Sequence, residues 1–146
     1  MTAAAEFVAV FACLIFTGAA VYITFVEHPA RMTCATDCAL SQWAPSYKRA
    51  TVMQASLALV ASVAGLIAFV QGAGIGWLVG AAFIFTVVPT TLLVIMPTNA
   101  QLLDPARDRS SAATRQLLVR WGRLHAIRSA LSVIASLIFL CIVFRH

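Results

Sequence analysis

Four long apolar stretches, separated by shorter polar segments, dominate the pattern of this sequence. They occupy residues 7–26, 52–70, 77–96 and 130–144. A helix of about 20 apolar residues crosses the hydrocarbon core of a bilayer, which is roughly 30 Å thick. The last stretch is short, but helical periodicity extends it backwards through Arg128, His125 and Trp121. The pattern therefore predicts four transmembrane helices, at about 5–27, 46–70, 76–97 and 111–144.

The connections predict how these helices are arranged. Residues 71–76 (Gln-Gly-Ala-Gly-Ile-Gly) form a tight connector that joins the second and third helices as antiparallel neighbours. The prediction is an all-α, integral membrane four-helix bundle of two antiparallel hairpins, forming a single transmembrane domain over residues 1–146. Composition agrees, since 62 % of the residues are hydrophobic and 10 % are charged, against about 45–50 % and about 25 % in soluble domains. A freely soluble protein is excluded.

The distribution of the net charge of +5 along the sequence indicates how the protein is oriented in the membrane. Nine of the ten Lys and Arg residues follow the first or third apolar stretch, and only Arg145 lies on the other side. Cytoplasmic loops of membrane proteins are enriched in Lys and Arg. We therefore expect a multi-pass protein of the plasma membrane with both long basic loops cytoplasmic and both termini outside. The bilayer and its headgroups are then the partners of this charge, and no nucleic acid is expected.

Four cysteines fall into two pairs. Cys34 and Cys38 lie in the first long loop with i, i+4 spacing, where they are either a functional dithiol or ordinary loop cysteines. Cys13 and Cys141 lie inside the first and last helices, and we expect both to be packing residues.

Polar side chains at membrane depth are costly and often functional. One face of the first helix carries Thr17, Thr24 and His28, and one face of the fourth carries Trp121, His125, Arg128, Ser132 and Ser136. The predicted topology brings a set of polar residues to the cytoplasmic boundary, namely His28, Tyr47, Asn99, His125 and Arg128. We expect an interior polar pocket there, whereas Trp43 is interpreted as an interfacial anchor.

A metal site is an alternative use of this cluster. His28, His125 and Glu27 would supply two histidines and a carboxylate for non-haem iron, and copper is a second candidate. Adjacent residues diverge by about 100° on a helix, so Glu27 and His28 would converge only if the helix frayed at Pro29. His146 lies at the opposite boundary and cannot contribute. No cofactor is predicted otherwise.

A short internal similarity supports a build from two hairpins. The first helix leaves through Glu27-His28-Pro29, and the third leaves through Met96-Pro97-Thr98-Asn99. The helices that follow open with Trp43-x3-Tyr47 and Trp121-x3-His125. Parallel repeats of hairpins are a known membrane architecture.

These motifs resemble a known family over roughly residues 18–128. The similarity rests on Gly18-x3-Tyr22 with Pro29, on Pro97-Thr98-Asn99 with Leu102, and on Trp121-x3-His125-x2-Arg128. The chain is similar to the anthrone oxygenase-like family of small four-helix membrane proteins. Its characterised fungal members oxidise a polyketide anthrone to an anthraquinone with O2 and no bound cofactor. Asn99, Trp121, His125 and Arg128 match the family pattern, whereas Glu27, His28 and the cysteine pair are not part of it.

The resemblance implies an oxygenase acting on a small, apolar aromatic substrate that reaches the site from the bilayer. His125 is the candidate base and His28 the second candidate, while Asn99 and Arg128 would stabilise an oxyanion. Trp121, Tyr47 and Gln54 are predicted to bind the substrate, in a roofed pocket of drug-like size.

Three alternatives stay open. A non-catalytic membrane scaffold or accessory subunit would use the polar cluster only to anchor helices. A metal-binding membrane oxidoreductase would use the iron or copper site. A homo-oligomer is compatible with each reading, and a small transporter of four helices would require a dimer.

Overall fold

The computed structural model describes residues 2–145. Within that range all secondary structure is helical, and four helices are long and apolar enough to cross a membrane: α1 (Thr2–Arg31), α2 (Thr36–Ala73), α3 (Ile75–Leu102) and α4 (Ala112–Val143). The predicted all-α four-helix bundle is confirmed. His146 lies outside the described residues.

The helices pack in a ring, with α1 and α3 each lying against both α2 and α4. Residues 32–35 and 103–111 connect the helices at one end of the bundle, which we call the loop end. At the opposite end α2 and α3 are joined by a tight turn in which Gly72 and Gly74 have φ angles of 90° and 102°. Only glycine adopts these angles readily. The α2–α3 hairpin is as predicted.

Three of the four helices are longer at the loop end than the sequence pattern predicted. α1 continues through Pro29 to Arg31 rather than ending near 27, and α3 continues to Leu102 rather than to 97. The largest error is in α2, which begins at Thr36 rather than near 46 and contains Pro45. Burial of Leu40 and Trp43 in an apolar cluster with Leu118 and Trp121 stabilises this extra segment. The bounds of α4 agree with the prediction to within one residue.

The half of the bundle away from the loop end is packed through small residues. A Cβ added at Gly65 would lie 3.0 Å from the Cβ of Ala81 and 3.3 Å from the carbonyl oxygen of Trp77. Such close contacts bring membrane helices together without bulky side chains. At Gly18 of α1, by contrast, an added Cβ would have nothing within 4 Å.

The cysteines are all free thiols. Cys13 is buried, as expected, with its sulfur 3.4 Å from the hydroxyl of Ser136. Cys141 is exposed, so the expectation that it packs in the bundle was wrong. Cys34 and Cys38 are both exposed, and Cys38 lies in the first turn of α2 rather than in a long loop.

A π-helical turn precedes a proline in both α1 and α3. In α1 the turn is Ile23–Glu27, and the N–H of His28, the residue before Pro29, donates to the carbonyl of Ile23 five residues back. In α3 the turn is Thr91–Ile95, and the N–H of Met96, before Pro97, donates to Thr91 in the same way. Proline lacks an N–H and its ring clashes with the carbonyl four residues earlier. The sequence similarity of the two hairpins therefore has a structural counterpart.

The loop of residues 103–111 is ordered by its own side chains. The backbone N–H and the hydroxyl of Ser110 donate to the Asp108 carboxylate at 3.0 and 2.9 Å, which lowers the pKa of Asp108. Ser111 caps α4, accepting from the N–H of Thr114 at 3.2 Å.

Candidate functional site

Buried polar atoms without hydrogen-bond partners gather on the loop-end side of the bundle. Among the described residues they are His28 Nδ1, Trp43 Nε1, Gln54 Nε2, Arg128 Nε and both side-chain polar atoms of Asn99. Leaving such an atom unpaired costs about 1–3 kcal/mol. Groups of this kind in a folded protein require an explanation, such as a polar ligand or ordered water. Four of the five residues, all but Trp43, were predicted site residues.

Trp121 holds the two predicted histidines together. Its ring centroid lies 5.1 Å from that of His28 and 4.9 Å from that of His125. Trp43 contacts the same ring edge-on at 5.8 Å and is fully buried, so its interpretation as an interfacial anchor was wrong. His28 and His125 come from different helices, so this aromatic cluster joins α1 to α4.

A chain of hydrogen bonds fixes the orientation of His125. Its Nδ1 lies 3.0 Å from the Thr24 hydroxyl, which lies 2.8 Å from the Ser129 hydroxyl. Ser129 donates to the carbonyl of Ala20 at 3.0 Å. A carbonyl can only accept, so the single hydroxyl proton of Ser129 is donated to Ala20 and Ser129 must accept from Thr24. The single hydroxyl proton of Thr24 is then also used, and Thr24 accepts from Nδ1–H of His125. The proton therefore sits on Nδ1, and Nε2 carries the free lone pair.

Thr24 and Ser129 were not predicted as site residues. Thr24 had been noted on the polar face of the first helix, but nothing in the sequence connected it to His125. Ser129 lies outside the stripe expected on the fourth helix. The remaining stripe residues join α1 to α4 further from the loop end, where Thr17 lies 2.8 Å from the Ser136 hydroxyl and donates to the Ser132 carbonyl at 3.1 Å.

Arg128 and Gln54 form a second pair of functional candidates. Arg128 Nη2 donates to Gln54 Oε1 at 2.8 Å, and the guanidinium carbon lies 5.6 Å from the centroid of the Phe16 ring. Both polar side chains are buried, with exposures of 7 % for Arg128 and 1 % for Gln54.

Tyr47 and Asn99 are placed differently. Tyr47 stacks on Trp43 with centroids 5.0 Å apart, and its hydroxyl lies 3.9 Å from the sulfur of Met96. Asn99 is 1 % exposed, and it is not among the residues that line the cavity shared by His125 and Arg128. The structure thus brings Tyr47 to that cavity and leaves Asn99 outside its walls.

Glu27 is engaged by other side chains. It forms an ion pair with Arg31 and accepts a hydrogen bond from Ser46 at 2.6 Å and from Gln42 at 3.1 Å. Arg31 also donates to Gln42 and lies over the Trp121 ring at 5.9 Å.

Two sequence interpretations change as a result. Arg31 had been counted only as a loop charge, yet its side chain is 3 % exposed. The metal-ligand set of His28, His125 and Glu27 is not assembled: within residues 2–145 no three His, Cys, Asp or Glu side chains are grouped to hold a metal ion.

Three spaces adjoin these residues. The inner cavity, of about 10 Å³, is bounded by Arg31, Tyr47, Gln54, Trp121, His125 and Arg128 among others. A cavity of about 110 Å³ lies between α2 and α3 and shares Thr51, Gln54 and Arg128 with it. A groove of about 520 Å³ lies between α1 and α2 and shares Ile23, Ser46 and Ala50 with it.

The expected roofed pocket of drug-like size is therefore wrong for this conformation. The rings of Trp43, Tyr47 and Trp121 occupy that part of the bundle. The space that remains is divided among an open groove and two small cavities.

The fold and the site together define a multi-pass membrane protein, a helical bundle with a buried polar site at its loop end. The family model described as "Anthrone oxygenase" matches residues 43–138. The chain belongs to this family, as its motifs indicated.

A curated relative, "Anthrone oxygenase tpcL" of Aspergillus fumigatus, is 35 % identical over 78 residues, which cover 51 % of this chain and 48 % of the relative. The chain thus aligns with about half the length of that relative. No solved structure matches the chain.

The family match covers most of the candidate site. It includes Gln54, Asn99, Trp121, His125 and Arg128 and begins at Trp43. The residues contributed by α1, including Thr24 and His28, precede the matched range.

Proposed function

We propose that this protein is a cofactor-independent oxygenase that uses O2 to oxidise anthrone-like aromatic or polyketide substrates. Family membership supports the reaction class. The observation that carries the proposal is the hydrogen-bonded chain on His125, because it leaves Nε2 of a buried imidazole free to accept a proton. Imidazole is the side chain whose ordinary pKa suits a base near neutral pH.

The first step is removal of a proton from the methylene carbon of the anthrone. His125 Nε2 takes this proton, and the electron pair of the C–H bond is delocalised into an aromatic oxyanion. Thr24 then stabilises the imidazolium by continuing to accept from Nδ1–H, the position that an aspartate carboxylate occupies in a serine protease. His28, whose ring also contacts Trp121, is the second candidate for the base.

The electron-rich anion then reacts with O2. Oxygen adds at the deprotonated carbon, and the resulting peroxide loses water to leave a carbonyl group, so that one anthrone and one O2 give one anthraquinone and one H2O. Arg128 and Asn99 supply donors for the negative charge on oxygen. The unpartnered donors Nε of Arg128 and Nδ2 of Asn99 support this role, because an oxyanion would satisfy them. Asn99 lies outside the walls of the inner cavity, so it reaches the oxyanion only if the side chains around it move.

Substrate binding is assigned to Trp121, Tyr47 and Gln54. A three-ring aromatic is larger than the α2–α3 cavity of about 110 Å³, so binding requires side-chain movement. Ile23, Ser46 and Ala50 line both the inner cavity and the α1–α2 groove, so movement of these side chains would enlarge the inner cavity.

The proposal includes the orientation in the membrane. The loop end would face the cytoplasm of the plasma membrane, since nine of the ten Lys and Arg residues lie toward that end. The site then lies near the cytoplasmic boundary, within reach of a substrate dissolved in that leaflet.

Purified protein tests the function directly. Anthrone oxidation and O2 consumption are measured for the wild type, His125→Gln, His28→Gln and the matched surface variant Leu59→Phe. We expect His125→Gln to lower kcat by about 100-fold or more, with Leu59→Phe unchanged. A His125→Gln variant of full activity removes His125 as the base. A folded wild type with no activity favours the non-catalytic scaffold, and iron or copper at near-stoichiometric content favours the metal-dependent alternative.

A further inference from the structure

The guanidinium of Arg128 is buried without a compensating negative charge. Its side-chain contacts are the neutral Gln54, which accepts at 2.8 Å, and the face of the Phe16 ring. The two ion pairs among residues 2–145 lie elsewhere and do not include Arg128. Burying an unpaired charge is costly, so a buried, unpaired guanidinium indicates a functional role for the side chain.

Arg31 makes a useful contrast because it borders the same inner cavity. It is also buried, but Glu27 neutralises it and Gln42 satisfies its Nε. The Nε of Arg128 has no partner, nor does the Nε2 of Gln54 beside it. Two adjacent, buried and unsatisfied donors thus lie at a position with one surplus positive charge. An anion is the ligand that satisfies both.

The space next to these donors is apolar. The α2–α3 cavity of about 110 Å³ has Arg128 and Gln54 in its wall together with aliphatic side chains such as Ala55, Ala58 and Val87. Leu92 and Met96, which also line it, are 55 % and 37 % exposed on the outer surface of the bundle. The cavity therefore lies directly beneath a surface that faces lipid.

We propose that this cavity binds the anionic end of an aromatic substrate, with Arg128 and Gln54 holding the charged group and the aliphatic wall holding the ring. This inference rests on the proposed function for the assumption that the ligand is the substrate. It adds that the substrate is bound as a phenolate, enolate or carboxylate, and that neutral analogues are discriminated against. Access is from the bilayer between α2 and α3, past Leu92 and Met96.

Benzoate and benzamide test the charge requirement, because they have the same ring and nearly the same shape and differ in charge. Each is titrated calorimetrically at pH 7 into protein in uncharged maltoside micelles, without O2 turnover. We expect benzoate to bind at least tenfold more tightly than benzamide. Arg128→Gln abolishes this preference, and Ala55→Phe, which enlarges a side chain in the wall of the cavity, abolishes binding of both. Leu59→Phe, one turn further along α2 and 48 % exposed, is the matched control and binds as the wild type does.

The thermal midpoint of each variant shows whether it is folded. Arg128→Gln removes an uncompensated buried charge, so we expect its midpoint without ligand to equal or exceed that of the wild type. Three outcomes would overturn the proposal. They are equal affinity for the two probes, benzoate binding that survives either Arg128→Gln or Ala55→Phe, and no binding at all. Hexanoate is the third probe, and tighter binding of hexanoate than of benzoate would overturn the aromatic assignment in favour of a lipid-derived acid. Because no reaction is measured, selective benzoate binding by a protein without anthrone oxidation would refute the proposed function and leave the anion site standing.

Discussion

Nδ1 of His125 on α4 lies 3.0 Å from the hydroxyl oxygen of Thr24 on α1. This contact joins a candidate base to the π-helical turn of another helix. It also connects the imidazole through Ser129 to the backbone carbonyl of Ala20, and this carbonyl sets the donor and the acceptor of each hydrogen bond in the series.

Replacing Thr24 tests whether this chain acts on His125. Thr24→Val removes the acceptor for Nδ1–H, so both imidazole tautomers become populated and the base is misoriented. We expect kcat for anthrone oxidation to fall by about 10- to 1,000-fold, which is less than the ~10⁴-fold loss when the orienting Asp of a serine protease is replaced by Asn. KM should change little.

Thr24→Ser is the matched control, because it keeps the hydroxyl and removes a methyl group. We expect it to restore most of the lost kcat and the wild-type pH profile of kcat. If Val and Ser variants are equally active, Thr24 has only a packing role.

Gly122 provides a way to move His28 without changing it. A Cβ at Gly122 would lie 2.6 Å from both Cδ2 and Nε2 of the His28 ring. Gly122→Ala therefore forces the His28 imidazole to move from its present position, at a cost of about 1–3 kcal/mol. We expect a lower thermal midpoint and at least a severalfold loss of kcat/KM. Gly18→Ala, where the added Cβ meets nothing within 4 Å, should leave both unchanged; full activity of Gly122→Ala would show that the position of His28 does not matter.

The ion pair of Glu27 and Arg31 should behave as a buried pair. Glu27→Ala leaves the Arg31 side chain, 3 % exposed, without its counter-charge, and we expect a loss of about 3–5 kcal/mol in unfolding free energy. Replacing both residues by Met should recover most of this loss, since no charge then remains unpaired. Thermal or denaturant unfolding in detergent measures each variant.

The exposed pair of Asp37 and Arg109 is the control, with side chains 58 % and 52 % exposed. Asp37→Ala should cost no more than about 1 kcal/mol. A double Met variant as unstable as Glu27→Ala would mean that the hydrogen bonds to Ser46 and Gln42, rather than the charge balance, stabilise this corner.

Gly65 tests whether packing away from the loop end is separable from function. Valine there must displace Ala81 or the Trp77 backbone, since its Cβ alone would be 3.0 and 3.3 Å from them. We expect Gly65→Val to lower stability by about 1–3 kcal/mol, with kcat per folded molecule unchanged at temperatures below its midpoint. A specific loss of kcat would couple the two halves of the bundle.

Much of the fold could be predicted because hydrophobicity alone identifies helices that cross a bilayer. The helix ends could not, because they depend on tertiary contacts. Pro45 normally signals a helix start, yet burial of Leu40 and Trp43 extends α2 back to Thr36. In α1, burial of His28 and the ion pair of Arg31 with Glu27 accompany the continuation of the helix beyond Pro29.

Part of the candidate site could be predicted. The sequence indicated His28, Gln54, Asn99 and Arg128 because polar side chains at membrane depth are costly and often functional, and the structure leaves at least one polar atom of each without a hydrogen-bond partner. Arg31 was missed because a charge beyond a proline was interpreted as a loop residue. The partnership of Thr24 with Ser129 joins residues more than a hundred positions apart, and no local pattern contains that information.

The π-helical turns of α1 and α3 change the direction in which the residues beyond them point. Each accommodates one residue more than an α-helical turn does, so the segment beyond it is rotated by about 100° relative to an unbroken helix. Beyond Ile23–Glu27 this rotation sets the direction of Arg31, and beyond Thr91–Ile95 it sets that of Asn99. The face that the last segment of each helix turns toward the site is therefore not fixed by the face that its membrane-embedded part packs against the bundle.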